Sequence, residues 1–152
     1  MQYALPSAVD ELRRMRSLRP DSRVVLLNSC DPANPYGAGA SLPLPGGTGT
    51  VPRFSRVAGT FIAFAEGTPI LLIESYGSRL RTIGSPLPDA LHTALAQLVG
   101  MLRLPAHNRP FREIVVEYCD DQRPADSTLG PALQSLGFVR DKNQTMRRDA
   151  FG

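Results

Sequence analysis

Residues 56–83 read RVAGTFIAFAEGTPILLIESYGSRLRTI. This stretch contains three apolar, β-rich runs, which are Arg56–Glu66, Pro69–Tyr76 and Arg79–Ile83. The residues between the runs, Glu66-Gly67-Thr68 and Gly77-Ser78, are typical of tight turns. The pattern therefore predicts a three-stranded meander. Gly59, inside the first run, predicts a bulge or a close approach of another backbone segment.

Further elements are predicted on both sides of this meander from apolar spacing and from helix-breaking residues. They are a helix from Ser7 to before Pro20, a strand over Arg23–Leu27, a helix over Leu87–Leu104, a strand over Arg112–Tyr118, a short helix over Leu129–Leu136 stopped by Gly137, and a final hairpin of Phe138-Val139 with Thr145–Arg148. Strands follow one another and helices are few. The order predicts an α+β fold, with a curved, mostly antiparallel sheet (a partial β-barrel) and two or three helices.

The length of 152 residues suits a single domain, so one domain over 1–152 is predicted. Residues 30–55 contain 10 Pro or Gly in 26 positions, a density that no helix or central strand tolerates. A flexible Gly/Pro-rich loop is predicted at 38–52. The preceding Asp31–Gly37 segment predicts an ordered turn, because Asp and Asn before Pro favour defined turns.

The composition, with 42% hydrophobic residues and a formal net charge of +3, is sufficient for a core and excludes a disordered chain. No apolar run is long enough to span a bilayer, and the N-terminus lacks a signal-peptide pattern. A cytoplasmic protein without a membrane partner is therefore expected. Of the 17 basic residues 16 are Arg, whose planar fork suits phosphate groups, although a GC-rich genome would also favour Arg.

Motifs of common enzymes and metal sites are absent from the sequence. Gly46–Thr50 is glycine-rich but lacks the Lys of a P-loop, so ATP hydrolysis is not expected. Cys30 and Cys119 have no CxxC partner, and His92 and His107 lack ligand spacing. No cofactor and no metal are predicted, and whether the chain is an enzyme stays open.

The Asp31–Gly37 turn is the first candidate site. Tyr36 could stack on a base, and Asn34 could bond to a base or a phosphate. The alternative is structural, with Asp31 and Asn34 bonding to their own backbone and Tyr36 covering the edge of the core.

Arginines on the predicted meander and final hairpin form the second candidate. Arg79 and Arg81 alternate with Leu80 and so face the side opposite it. A stripe along one sheet face, able to contact a phosphate backbone, is predicted to comprise Arg53, Arg56, Arg79, Arg81, Arg147 and Arg148. The alternative is an ordinary solvated face.

Acidic residues supply the third candidate. The adjacent Asp120 and Asp121 could hold Mg²⁺, or could simply be solvated. Asp149 follows two arginines, where a carboxylate could activate a water molecule or stabilise a cationic sugar. The alternative for Asp149 is a frayed terminus.

Two segments, Gln2–Asp10 and Asp31–Ala38, resemble the extreme C-terminal part of the Lhr-type (large helicase-related) DNA helicases of superfamily 2. The resemblance continues through Arg53–Gly59, Ile70–Glu74, Leu136–Phe138 and Thr145–Arg148, so it covers nearly the whole chain. The Asp-Pro-x-Asn-Pro-Tyr-Gly string is its most specific part. The chain departs from the family at Leu44, where a Trp is usual.

The resemblance implies a nucleic-acid-binding or architectural C-terminal module of an ATP-dependent DNA helicase involved in DNA repair, without motor motifs of its own. Single- or double-stranded DNA would be its partner, together with winged-helix and helicase domains of the same or a neighbouring chain. One alternative is a fragment of a DNA glycosylase of base excision repair that uses Asp149. Another is a structural cap that packs on winged-helix domains through Leu5, Val9 and Leu12.

Overall fold

The computed structural model of the protein describes residues 5–16, 23–37 and 53–150. The described residues form three α-helices, α1 (Pro6–Arg16), α2 (Pro88–Gly100) and α3 (Gly130–Ser135). They also form eight strands, β1 (Val24–Asn28), β2 (Phe61–Ala65), β3 (Thr68–Glu74), β4 (Arg79–Thr82), β5 (Glu113–Val116), β6 (Tyr118–Cys119), β7 (Val139–Arg140) and β8 (Met146–Asp149). The predicted flexible loop at 38–52 lies outside the described residues.

The strands form two mostly antiparallel sheets, which confirms the predicted α+β class. The first sheet has the order β1-β2-β3-β4-β6 and the second has the order β5-β8-β7. In the part of the chain that the structure describes, only the pairing of β4 with β6 is parallel. Among the described strands no closed barrel forms, because β1 ends one sheet, β7 ends the other, and the two do not pair. The meander of β2, β3 and β4 is as predicted.

The chain turns just before β2, so this strand begins later than its apolar run predicts. The backbone N–H of Thr60 donates to the carbonyl of Val57 at 3.0 Å. Gly59 lies in this turn, and a Cβ placed there would be 2.7 Å from the Tyr76 ring. The predicted close approach of backbone at Gly59 is found in the bond from the N–H of Tyr76 to the Gly59 carbonyl at 2.7 Å, and it precedes the strand rather than interrupting it.

Helix α2 covers the inner face of the first sheet and fills the main core. Leu95 and Leu98 of α2 are fully buried against Leu71, Ile73 and Leu80 of the meander. The second sheet joins the same core through fully buried or almost fully buried side chains, which are Ile114, Val116 and Met146. Both sheets therefore share one hydrophobic core.

A smaller cluster lies on the outer face of the meander, on the side away from α2. Its buried members are Tyr36, Ile62, Phe64, Leu72 and Ile83. The ordered turn at 31–37 and the half-buried Phe54 thus cover part of this face. Farther along this outer face, on β4 and β6, the side chains are those of Arg79, Arg81 and Tyr118 instead of apolar ones.

Helix α1 exposes the apolar residue that precedes it, because Leu5 is 73% exposed. The helix begins at Pro6, one residue before the predicted Ser7. No helix in the described part of the chain is long and apolar enough to cross a membrane.

Candidate nucleic-acid interface

The Asp31–Gly37 segment is an ordered turn closed by its own side chains. Asp31 Oδ1 accepts the backbone N–H of Ala33 at 2.8 Å. Asn34 is buried. Its Oδ1 accepts the N–H of Tyr36 at 3.0 Å, and its amide donates to the carbonyl of Ser29 at 3.1 Å. Both side chains therefore bond to nearby backbone, as the structural alternative describes.

The ring of Tyr36 packs into the outer cluster. Its centroid is 5.9 Å from that of Phe64, and the residue is only 7% exposed. Burial raises the pKa of the Tyr36 hydroxyl above its usual value. A base could stack on this ring only if the ring left its packing. Base contact by Asn34 and Tyr36 stays a prediction.

Arg56 fastens the same turn to the loop before β2. Its Nε donates to the carbonyl of Ser29 at 2.7 Å, and its Nη2 donates to the carbonyl of Asp31 at 2.9 Å. Arg53, three residues earlier, is exposed. The two arginines that begin the predicted stripe therefore differ in their surroundings, since one is bound to backbone and the other faces solvent.

Arg79 and Arg81 face away from the buried Leu80, as strand alternation predicts. Tyr118 of β6 lies opposite Arg79 in the parallel pairing. The guanidinium carbons of Arg79 and Arg123 lie 5.6 and 4.9 Å from the centroid of the Tyr118 ring. These distances are typical of cation–π contacts. We call Arg79, Arg81, Tyr118 and Arg123 the Tyr118 cluster.

The Tyr118 cluster also contacts one acidic side chain. Nε of Arg81 is 3.6 Å from a carboxylate oxygen of Glu74, a residue on the neighbouring strand β3. Arg79 is exposed, whereas Arg81, Tyr118 and Arg123 are half-buried. The cluster therefore offers solvent two guanidinium groups around one ring, and a third, that of Arg81, beside a carboxylate.

Tyr118 and Arg123 are absent from the candidates that sequence reasoning supplied. Their only local signal is an aromatic residue and an arginine on either side of the Asp120-Asp121 turn. The parallel pairing of β4 with β6 brings them to Arg79. Such a long-range pairing leaves no mark in local sequence.

The last two arginines of the predicted stripe point to opposite faces of β8. Arg147 forms an ion pair with Glu113 across the β5–β8 pair. Arg148 lies on the same face as the buried Met146, and its Nη1 donates to the carbonyl of Gly137 at 3.3 Å. Successive side chains of a strand alternate between its faces. The prediction that both lie along one sheet face is therefore wrong.

The acidic candidates are also in defined positions. Asp120 accepts the backbone N–H of Thr82 at 2.6 Å and its hydroxyl at 2.8 Å. Asp149 lies on β8, directly opposite Glu113 of β5. No group of three or more His, Cys, Asp or Glu side chains suited to a metal ion occurs in the described ranges.

The two cysteines differ in exposure. Cys30 is exposed, whereas Cys119 is buried at the end of β6. Burial raises the pKa of the Cys119 thiol to about 11. The Cys119 thiol is therefore protonated at neutral pH and is a poor nucleophile.

No family model matches the chain. The chain is 33% identical over 111 residues to a protein of Mycolicibacterium smegmatis named "Lhr helicase/ probable uracil glycosylase". The aligned part covers 69% of this chain and 7% of that protein. The resemblance to Lhr-type proteins is therefore confirmed, and the small share of the relative is consistent with a match to one of its modules.

Proposed function

We propose that this chain is a nucleic-acid-binding module of the Lhr type, without a motor of its own, and that the Tyr118 cluster contacts the phosphate backbone. The observation that carries the proposal is the placement of two guanidinium groups, those of Arg79 and Arg123, around one aromatic ring. The similarity to an Lhr helicase supports the same function class.

A fixed arginine suits a phosphate better than a mobile one. The guanidinium fork matches two phosphate oxygens, and a cation–π contact orders the side chain before the ligand arrives. Less side-chain entropy is then lost on binding. Tyr118 thus acts as a positioning residue in this proposal, and the arginines make the contacts.

The cluster lies on the surface of a sheet and contains no element shaped to enter a DNA groove. Contacts to phosphate fix position but do not read sequence. We therefore expect weak sequence preference and a steep loss of affinity with salt. Arg53 and Arg147 are also exposed and remain proposed phosphate contacts.

A salt titration of the folded chain with single- and double-stranded DNA tests the proposal. Arg79→Gln and Arg123→Gln should each weaken binding to all sequences and lower the slope of log affinity against log salt by about 1. Arg140→Gln is the matched control, because it removes the same charge from an exposed site on β7, in the other sheet.

Two results would contradict the proposal. Absence of binding at low salt, with the chain folded, would remove the nucleic-acid function altogether. A general charge effect would lower DNA affinity equally in Arg79→Gln, Arg123→Gln and Arg140→Gln. This result would exclude the Tyr118 cluster as the interface.

A second candidate function is excision of a base from DNA, favoured by the relative's name, "probable uracil glycosylase". In this candidate the bond between C1′ and the base breaks, a water oxygen bonds to C1′, and the base leaves with a proton. Asp149 would accept the water's proton or stabilise the cationic sugar. Its position opposite Glu113 places two carboxylates on one face of the β5–β8 pair.

Excision of uracil from labelled DNA tests this candidate. Asp149→Asn should abolish excision while leaving DNA affinity intact, and Asp121→Asn is a control that removes an exposed carboxylate from the turn after β6, outside the β5–β8 pair. Excision that survives Asp149→Asn would exclude Asp149 as the catalytic residue. A wild-type chain that binds DNA but excises nothing would exclude the activity.

A further inference from the structure

Tyr76 is an exposed aromatic residue in the turn that precedes Arg79 of the proposed interface. It lies in the 3-10 turn Ser75–Gly77 that joins β3 to β4, and it is 44% exposed. Its backbone is left-handed, with φ 58° and ψ 28°, and its N–H donates to the carbonyl of Gly59 at 2.7 Å. A tyrosine rarely adopts this backbone conformation. The turn therefore presents the residue in an uncommon but hydrogen-bonded conformation.

The ring rests on two supports. Gly59 lies under it with no side chain, and a Cβ there would be 2.9 Å from Cδ2 of the ring and closer still to Cε2. Phe111 meets it edge-on, with centroids 6.2 Å apart and planes at 68°. Phe111 in turn packs edge-on against the buried Phe61. The ring is thus held from behind, while much of the residue faces solvent.

The same corner of the fold carries part of the Tyr118 cluster. Arg79 follows Tyr76 by three residues, which limits the separation of their Cα atoms to about 10 Å. The carbonyl of Ser78 accepts the N–H groups of Glu117 and Tyr118 at 2.8 and 3.2 Å, so this turn is fastened to the strand that bears Tyr118. The aromatic ring of Tyr76 and the guanidinium group of Arg79 therefore extend from the turn between β3 and β4 and from the first residue of β4.

We propose that Tyr76 is a stacking platform for an unpaired base, and that the preferred ligand of this chain is single-stranded nucleic acid. The inference rests on the proposed function and specifies its ligand class. In a duplex the faces of the bases are covered by neighbouring bases, so an exposed ring gains little there. On a single strand each stacked base adds substantial affinity, with little sequence preference.

Binding of a labelled single-stranded homopyrimidine and of a duplex of equal length tests the inference. Tyr76→Asn removes the ring, and Asn tolerates the left-handed backbone. We expect it to lower single-strand affinity by about 5- to 150-fold, the loss that corresponds to one stacked base, and to leave duplex affinity within about twofold. Tyr76→Phe keeps the ring and should keep wild-type affinity.

Tyrosine fluorescence provides a second, independent readout that does not depend on the fold of Tyr76→Asn. The chain contains 4 Tyr and no Trp, so tyrosine emission is directly visible. Stacking should quench the emission of Tyr76 when the single strand binds. Tyr76→Phe should therefore bind as tightly as the wild type but show a smaller quench.

The outcomes separate this inference from the proposed function. Unchanged single-strand affinity of Tyr76→Asn, or equal losses on both ligands, would overturn the stacking role. An identical quench in the wild type and in Tyr76→Phe would overturn it as well. In these cases the proposed function would stand if Arg79→Gln and Arg123→Gln still weakened binding. A wild-type chain that binds neither the single strand nor the duplex would contradict both the proposed function and the stacking role of Tyr76.

Discussion

Asn34 shows at the scale of one residue how a binding motif and a structural motif can look alike. Its amide donates to the carbonyl of Ser29 and accepts from the N–H of Tyr36, inside the fold. Asn34→Ala would leave the N–H of Tyr36 without its acceptor in a buried place. We expect the free energy of unfolding to fall by about 1–3 kcal/mol, as measured by urea denaturation.

Asp31→Ala is the control for Asn34→Ala, because Asp31 makes a similar bond to Ala33 nearer to solvent. It should cost less, since water can replace its hydrogen bond. If Asn34→Ala instead unfolded like the wild type and lost DNA affinity, Asn34 would contact nucleic acid as the sequence motif first suggested. The two roles are thus distinguished by one pair of measurements.

The pairing of β4 with β6 is the element on which the Tyr118 cluster depends. It consists of two residue pairs, and the carboxylate of Asp120 strengthens it by accepting both the N–H and the hydroxyl of Thr82. Asp120→Ala should lower the free energy of unfolding by about 1–2 kcal/mol through the loss of these bonds. It should also weaken DNA binding, because the strand that bears Tyr118 would be less firmly held beside Arg79.

Asp121→Ala is a closely matched control for this prediction. Asp120 and Asp121 are adjacent and exposed, and both have a left-handed backbone, with φ 49° and 61°. Replacement by Ala therefore removes the same charge and adds the same kind of backbone strain at each position. Equal stability and equal affinity of the two variants would show that the bonds to Thr82 do not hold this edge.

Most elements were predictable because their signals are local. The meander follows from β-rich runs separated by Gly-containing turns, and Gly137 ends α3 with φ 82° as a helix-stopping glycine does. Helix α2 ends at Gly100, whereas the sequence predicts a helix to Leu104. The prediction is too long because the 3-10 turn over Met101–Arg103 continues the apolar spacing of the helix. The differences thus lie at the ends of elements, where hydrogen bonds rather than residue types set the boundary.

The candidate interface was predictable only in part. Strand alternation places Arg79 and Arg81 on one face, since a period of two is a local property. The partners of that face depend on which strands pair. The β4–β6 pair adds Tyr118 to this face, whereas Arg148 lies on a strand of the other sheet and turns towards the core.

Across the whole molecule, both sheets and helix α2 enclose one core. Residues 113–119 connect the sheets, because β5 pairs with β8 and β6 pairs with β4 in a single stretch of chain. Cys119 lies at the end of this connection and is completely buried. Ionisation of its thiol is therefore expected to change the stability of the whole fold rather than that of one loop.

Alkaline pH should destabilise the fold through Cys119. Burial raises the pKa of this thiol to about 11, whereas the pKa of a thiol in the unfolded chain is about 8.5. The folded state holds the proton more tightly, so this contribution to stability is complete below about pH 8.5 and is lost as the pH rises towards 11. We expect the free energy of unfolding of the wild type, measured by urea denaturation, to fall over this range.

In Cys119→Ala this part of the fall should vanish, so the stability difference between the two proteins should shrink as pH rises. The raised pKa of Tyr36 acts in the same direction in both proteins and cancels in their comparison. Parallel pH curves for wild type and variant would mean that Cys119 titrates in the folded state as it does in the unfolded chain.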